Sequence, residues 1–146
     1  MLQKEKIGLA SDHAGYMLKD YIRKLLEKEN ITYIDYGTYS AESTNYTIYG
    51  HRLAIAIEEK EVQIGIATCG AGNGIGMTLN KHNGIRAAIC WNEEIASLAR
   101  SHNDANVLSL PARFISFNKA KKIITVFFNT PFEGGRHKSR VDSIDR

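Results

Sequence analysis

The residue types best suited to chemistry cluster in "IATCGAGNGIGMTLNK" (66–81), where an apolar run ends at Cys69 and glycine follows at positions 70, 72, 74 and 76. Glycine lets a backbone approach a ligand closely and turn successive N–H groups toward an anion. A thiol facing such amides is open to a lowered pKa and to work as a base or nucleophile. The same stretch also reads as a strand-to-helix turn around a buried structural cysteine, and taken alone it leaves both readings open. Cys90, inside "GIRAAIC", reads as structural and inert.

Other groups carry similar pairs of readings. In "SDHAG", His13 opens a helix, where a donor beside free amides suits an anion, while Asp12 suits a capping turn. His102 closes a helix, where the dipole favours an imidazolium, and it equally fits a helix-end or core histidine. Arg136, His137, Lys138 and Arg140 form a basic cluster in the tail. Arg136 and Arg140 share a face on any helical turn, as a phosphate clamp or as solvated surface. His51 and His82 have no acidic or cysteine partner at ligand spacing, so no metal site is expected.

These groups need elements to position them. "KIGLAS" (6–11), "ITYIDYG" (31–37), "VQIGIATC" (62–69), "GIRAAIC" (84–90) and "NVLSL" (106–110) read as strands. Between them run helical patterns: Leu18, Tyr21, Ile22, Leu25 and Leu26; Thr47 to Lys60 with Leu53, Ala54 and Ile57 inward; and the glycine loop onward through Lys81. In the next, Ile95, Leu98, Ala99 and His102 share a face. A last long helix from about Asn118 puts Ala120, Ile123, Ile124, Phe127 and Phe128 on one stripe. The alternation predicts an α/β fold, a doubly wound, Rossmann-like parallel sheet of five strands in three layers, helices on both faces, and a C-terminal tail without a core stripe. Ligands bind such sheets at the carboxyl ends of the strands. Asp12 and His13, Cys69 with its glycines, and Arg113 all fall there.

The 146 residues form a single domain (1–146), 43% hydrophobic, without linker or repeat. A net charge of +3, from 19 basic and 16 acidic residues, is too mild for a nucleic-acid binder. "MLQKEKIGLAS" lacks the apolar core of a leader, and no stretch has the length of a membrane span. Two cysteines make no disulfide framework, so the expected location is the reducing cytoplasm. A dinucleotide site is disfavoured, because the glycine loop follows the third strand and no acid ends the next at the required distance. No Lys-Ser or Lys-Thr closes the loop, which excludes a Walker motif.

Four segments, "GLASDHAGYMLKDYI", "CGAGNGIGMTLNKHNGIRAA", "ARSHNDANVLSLPAR" and "FEGGRHKSRV", together resemble the type B ribose-5-phosphate isomerases, in a superfamily that includes the galactose-6-phosphate isomerase subunits. The resemblance runs in order over essentially the whole chain. It implies aldose–ketose isomerisation of a phosphorylated sugar without metal or organic cofactor, in a homodimer or tetramer whose active sites are shared between subunits. By position it implies Cys69 as the base between C1 and C2, His102 as the ring-opening acid/base and Asp12 as its assistant. The loop Gly70, Ala71, Gly72, Asn73 and Gly74 corresponds to the amides that hold the enediolate. Asn103 and Tyr46 correspond to sugar-binding residues, and His13, Arg113, Arg136 and Arg140 to the phosphate site.

Three departures stand out. Ala71 occupies a position that is threonine or serine in the family; Asn45 and Thr47 stand in "NYT" where "DYP" is usual; and Ile75 stands where one branch places a glutamate base, which favours Cys69 as the base here. The first two border the sugar and leave open the same chemistry on a hexose 6-phosphate of allose or galactose type, or on another aldose. A catalytically silent sugar-phosphate-binding protein is a further alternative, opposed by the full set of base, acid and arginines.

Overall fold

A computed structural model describes residues 5–146; Met1 to Lys4, the start of the segment read above for a leader, lie outside the described residues. The elements in chain order are β1 (Ile7–Ser11), α1 (Tyr16–Lys28), β2 (Tyr33–Asp35), α2 (Tyr46–Glu58), β3 (Ile64–Cys69), α3 (Asn73–Leu79), β4 (Ala87–Ile89), α4 (Glu93–Ser101), β5 (Val107–Pro111), α5 (Phe117–Asn129) and α6 (Arg136–Asp142). The five strands form one parallel sheet in the order β2-β1-β3-β5-β4. This is the doubly wound α/β architecture that the alternation of patterns predicts.

Strand alternation divides the core into two layers. Ile7 and Leu9 of β1 and Ile64 and Ile66 of β3 pack with α1, α4 and α5 through Leu18, Ile22, Ala99, Ile123 and Phe127. The opposite face carries small residues, Ala10 and Ala67, against Leu53 and Ala54 of α2 and Ile75 and Leu79 of α3. Close approach explains the glycines of that face: a Cβ on Gly8 would lie 2.5 Å from Leu53 Cδ1. The same alternation turns Cys69, two residues after Ala67, toward α2 and α3.

The edge strands are shorter than the apolar runs at 31–37 and 84–90 suggest, because each has a sheet neighbour on one side only. On its free side β4 is closed by a side chain: Asn80 accepts from the Ala87 amide at 2.8 Å and donates to its carbonyl at 2.9 Å. This protects an edge otherwise open to pairing. Leu98 departs from its expected inward position and is 38% exposed, since α4 turns Ala96 and Ala99 to the core. The tail is also more ordered than its missing apolar stripe suggests. It folds as α6 and buries His137. No helix of the described residues is long and apolar enough to cross a membrane.

Candidate active site

The chain winds from β1 to β2 on one side and then returns to place β3 on the other, so the switch point lies at the carboxyl ends of β1 and β3. A cleft of about 520 Å³ opens there. Asp12, His13, Cys69, Gly70, Gly74 and Arg113 line it, with Tyr46 and Ala71, so the structure brings these eight sequence-predicted residues together. Thr44, Asn45 and Ala14 complete the lining.

Cys69 is 5% exposed at the last position of β3. Its carbonyl accepts from the Ala112 amide (2.9 Å) and the Gly70 carbonyl from the Arg113 amide (3.0 Å), which fastens the β5–α5 turn over the thiol loop. The Arg113 guanidinium consequently lies above Gly70, where a Cβ would meet its Nη1 at 3.2 Å. Arg113 makes no ion pair among the described residues. Gly72 has φ +76°, a left-handed turn that favours glycine, and caps α3 without a side-chain hydrogen bond. The amides opening that helix therefore lack a cap acceptor. Gly74 admits the Tyr46 ring, which a Cβ would strike at 2.4 Å. Gly72 itself is buried beneath the turn, and Asn73 is exposed beside the cleft rather than in its lining.

Asp12 is 6% exposed, and its Oδ1 accepts from the Gly15 amide at 3.0 Å, which closes the turn before α1, whose N-cap Gly15 itself has no side-chain cap bond; Oδ2 takes no hydrogen bond among the described residues. The Thr44 amide donates to His13 Nδ1 at 3.1 Å, while the Thr44 carbonyl lies 3.2 Å from the same nitrogen. The shorter contact, with the amide as donor, matches the Nε2–H tautomer, in which Nδ1 accepts and Nε2 presents a proton. Asn45 caps α2 by accepting from the Thr47 amide at 3.0 Å. A proline at position 47 would have no such amide, so the two departures in "NYT" work together as one capping turn.

His102, Asn103, Arg136 and Arg140 do not line this cleft. A helix that follows a parallel strand runs back to the start of the next, so the end of α4 lies at the amino edge of the sheet, while Cys69 lies at the carboxyl edge. Five residues of β5 separate these edges by about 16 Å. At the amino edge His102 stacks on His137, ring centroids 4.2 Å apart and 16° from parallel. The Glu133 amide fixes the tail there by donating to the Ser101 carbonyl at 3.0 Å. Burial, and then the neighbouring His102 and Arg136, lower the His137 pKa. His102, Glu133 and His137 place three ligand-type atoms within 4.8 Å of one another, but near-parallel rings do not converge their nitrogen lone pairs on one ion. Arg136 and Arg140 are exposed and make no ion pair among the described residues.

Two further histidines depart from expectation. His51 Nδ1 lies 2.7 Å from His82 Nε2, and His82 Nδ1 bonds Glu58, an acidic partner that the fold supplies across 24 positions of sequence. Cys90, read as structural, is fully buried just past β4, and burial pushes its thiol up to about 12.

A doubly wound parallel sheet with a buried thiol, an open amide loop and, at its switch point, an arginine with no ion pair among the described residues defines an α/β enzyme of strand-end type. Residues 7–144 match the model of the ribose/galactose isomerase family. The chain is 41% identical over 140 residues to ribose-5-phosphate isomerase B of Escherichia coli K12, covering 96% of this chain and 94% of that protein. It is similar to the crystal structure of a ribose 5-phosphate isomerase from Thermotoga maritima, with TM-score 0.96, 43% identity, and 98% and 99% of the two chains covered. The ribose-5-phosphate isomerase B of Mycoplasma genitalium, solved with bound ribulose-5-phosphate, gives TM-score 0.90 and 37% identity over 95% and 93%. The chain belongs to the ribose/galactose isomerase family and is an isomerase.

Proposed function

We propose that this enzyme interconverts ribose 5-phosphate and ribulose 5-phosphate through a cis-enediolate, without metal or organic cofactor. The observation that carries the reading is the meeting of Cys69, the Gly70–Gly74 loop, His13 and Arg113 around one cleft. The Cys69 thiolate removes the C2 proton of the open-chain aldose and returns it to C1, while a proton passes from O2 to O1. Amides of the loop face the oxygen on which negative charge develops, where fixed donors act without the reorganisation that water requires. His13 Nε2–H and the forked donors of Arg113 hold the phosphate.

Ring opening falls to His102, assisted by Oδ2 of Asp12, and the separation of the two sheet edges supports a His102 supplied by a second copy. We place that copy against the rim of the cleft, where Ile89, Trp91 and Phe114 form a groove with Ala71, which also lines the cleft. Trp91 is 53% exposed and Phe114 75%. A homodimer built there brings the partner's His102, Asn103, Arg136 and Arg140 to each thiol.

A hexose 6-phosphate is the second reading, supported by Ala71, which is exposed and leaves the rim open where a hydroxyl side chain is usual. Comparing kcat/KM for ribose 5-phosphate, allose 6-phosphate and galactose 6-phosphate tests both. Ribose 5-phosphate should rank first. A hexose phosphate turned over about tenfold better would replace it as substrate, and no isomerisation of any member would defeat the proposal.

A further inference from the structure

Among the described residues Lys19 is the most deeply buried charge, 2% exposed, and the chemistry above does not use it. It lies in the first turns of α1, at helical spacing from the buried Ile22 and Leu26, and points inward. Its Nζ donates to Asp35 Oδ1 at 2.5 Å and to the Thr38 carbonyl, with the Tyr39 and Tyr16 rings at 5.4 and 5.9 Å. An ion pair this deep is a weak source of stability, because desolvation offsets the attraction. Direction is what an ammonium with several donors adds.

The groups it fixes lead to the cleft. Asp35 Oδ1 also accepts from the Gly37 amide at 2.9 Å. Gly37 and Thr38 then grip Ser11, the last residue of β1 before Asp12 and His13: the Ser11 amide donates to the Gly37 carbonyl (2.7 Å) and the Thr38 amide to the Ser11 carbonyl (2.8 Å). Farther along the loop, the Tyr49 ring packs on Gly37, where a Cβ would meet its Cε1 at 2.8 Å, and its hydroxyl lies 3.2 Å from Thr44 Oγ1. Thr44 in turn donates its amide to His13 Nδ1. His13 is thus held from both sides, through its own strand and through its ring, by segments fastened to one buried cation.

We infer that Lys19 is a positioning residue for substrate binding: through the Gly37–Thr38 turn, Tyr49 and Thr44 it aims His13 Nε2–H into the cleft and holds the Thr44–Tyr46 wall. This deepens the proposed function and rests on it for the identity of the anion. Lys19→Met keeps the stem and removes the donors. With ribose 5-phosphate, KM should rise about threefold to thirtyfold while kcat changes less, the signature of lost substrate binding. In the substrate-free protein, the ¹⁵N resonances of the His13 ring should move away from the single Nε2–H form. A fall in Tm with KM and the His13 resonances unchanged would mean a purely structural ion pair and overturn the inference. If Lys19→Met does not fold, Tyr49→Phe decides, since it removes only the bridging hydroxyl: the same shifts, smaller, support the inference, and no shift overturns it. The resonances are read without turnover. Failure of the wild type to isomerise ribose 5-phosphate would therefore remove the substrate and leave the positioning role separately testable.

Discussion

The two edges of the sheet are built from different materials. At the carboxyl edge, Cys69, Asp12 and His13 are held by main-chain hydrogen bonds and by glycines that other groups approach within van der Waals contact. At the amino edge, His102 leans on a stacked histidine, and Arg136 and Arg140 stand exposed on a helix of seven residues. The first edge is organised within one chain; the second presents Arg136 and Arg140, which have no ion-pair partner among the described residues. Under the proposed function, this difference gives proton transfer to the first, rigid edge and leaves the second, loose edge for another copy to receive. A site divided in this way would couple activity to assembly.

The largest effect should come from the rigid edge. Cys69→Ala removes the base, so kcat/KM should fall at least about 10²-fold with the fold retained, measured by isomerase assay and circular dichroism. Activity within about tenfold of wild type would show that the thiol is not the base. Chelators should leave the wild type unaffected; a loss restored by a divalent ion would contradict a metal-free site.

The division itself breaks under mixing. Cys69→Ala and Arg136→Ala/Arg140→Ala subunits, each inactive alone, should regain activity when co-expressed, because one of the two sites in the heterodimer then pairs an intact thiol with intact arginines. Verified heterodimers that stay inactive would return the arginines to their own chain's cleft or remove them from phosphate binding. A monomer in solution would end the shared-site reading.

His102→Asn sharpens the assignment of roles. It should slow turnover of the mostly cyclic aldose while sparing solvent exchange at the reacting carbon of ribulose 5-phosphate, which cannot close through its phosphorylated O5. Exchange that collapses as fully as turnover would place His102 in the proton transfer itself.

The rigid edge was the more legible in sequence. Cys69 and its glycines are contiguous, and a strand-then-loop pattern announces itself locally. Asp12, His13 and Arg113 follow from the rule that strand ends gather ligands. What sequence hid depends on long-range packing: Lys19 looks like one more polar helix position, and Glu58 meets His82 only because α2 packs on α3. Leu98 satisfied helical spacing and still faces outward, since α4 buries alanines. The tail gave no apolar stripe because its buried residue is a histidine on a histidine.

The smallest effect tests the loose edge through pH. His137 has a folded pKa below its ordinary value, caused first by burial and then by the charges of His102 and Arg136, with Arg140 adding to them and Glu133 opposing. Between the folded value and the unfolded value near 6.5, the unfolded chain holds more protons at this site, so stability rises with pH across that window. The contribution is complete above the unfolded value and is lost as pH falls through the folded one. Wild-type Tm should therefore drop on acidification from pH 7 to 5 more steeply than that of His137→Gln. The variant keeps a polar group but has no proton to take up, and the other titrating groups largely cancel in the difference. Parallel Tm profiles would mean that the stacked pair imposes no cost on protonation. The amino edge would then be as indifferent to charge as ordinary surface, and the contrast between the two edges would rest on geometry alone.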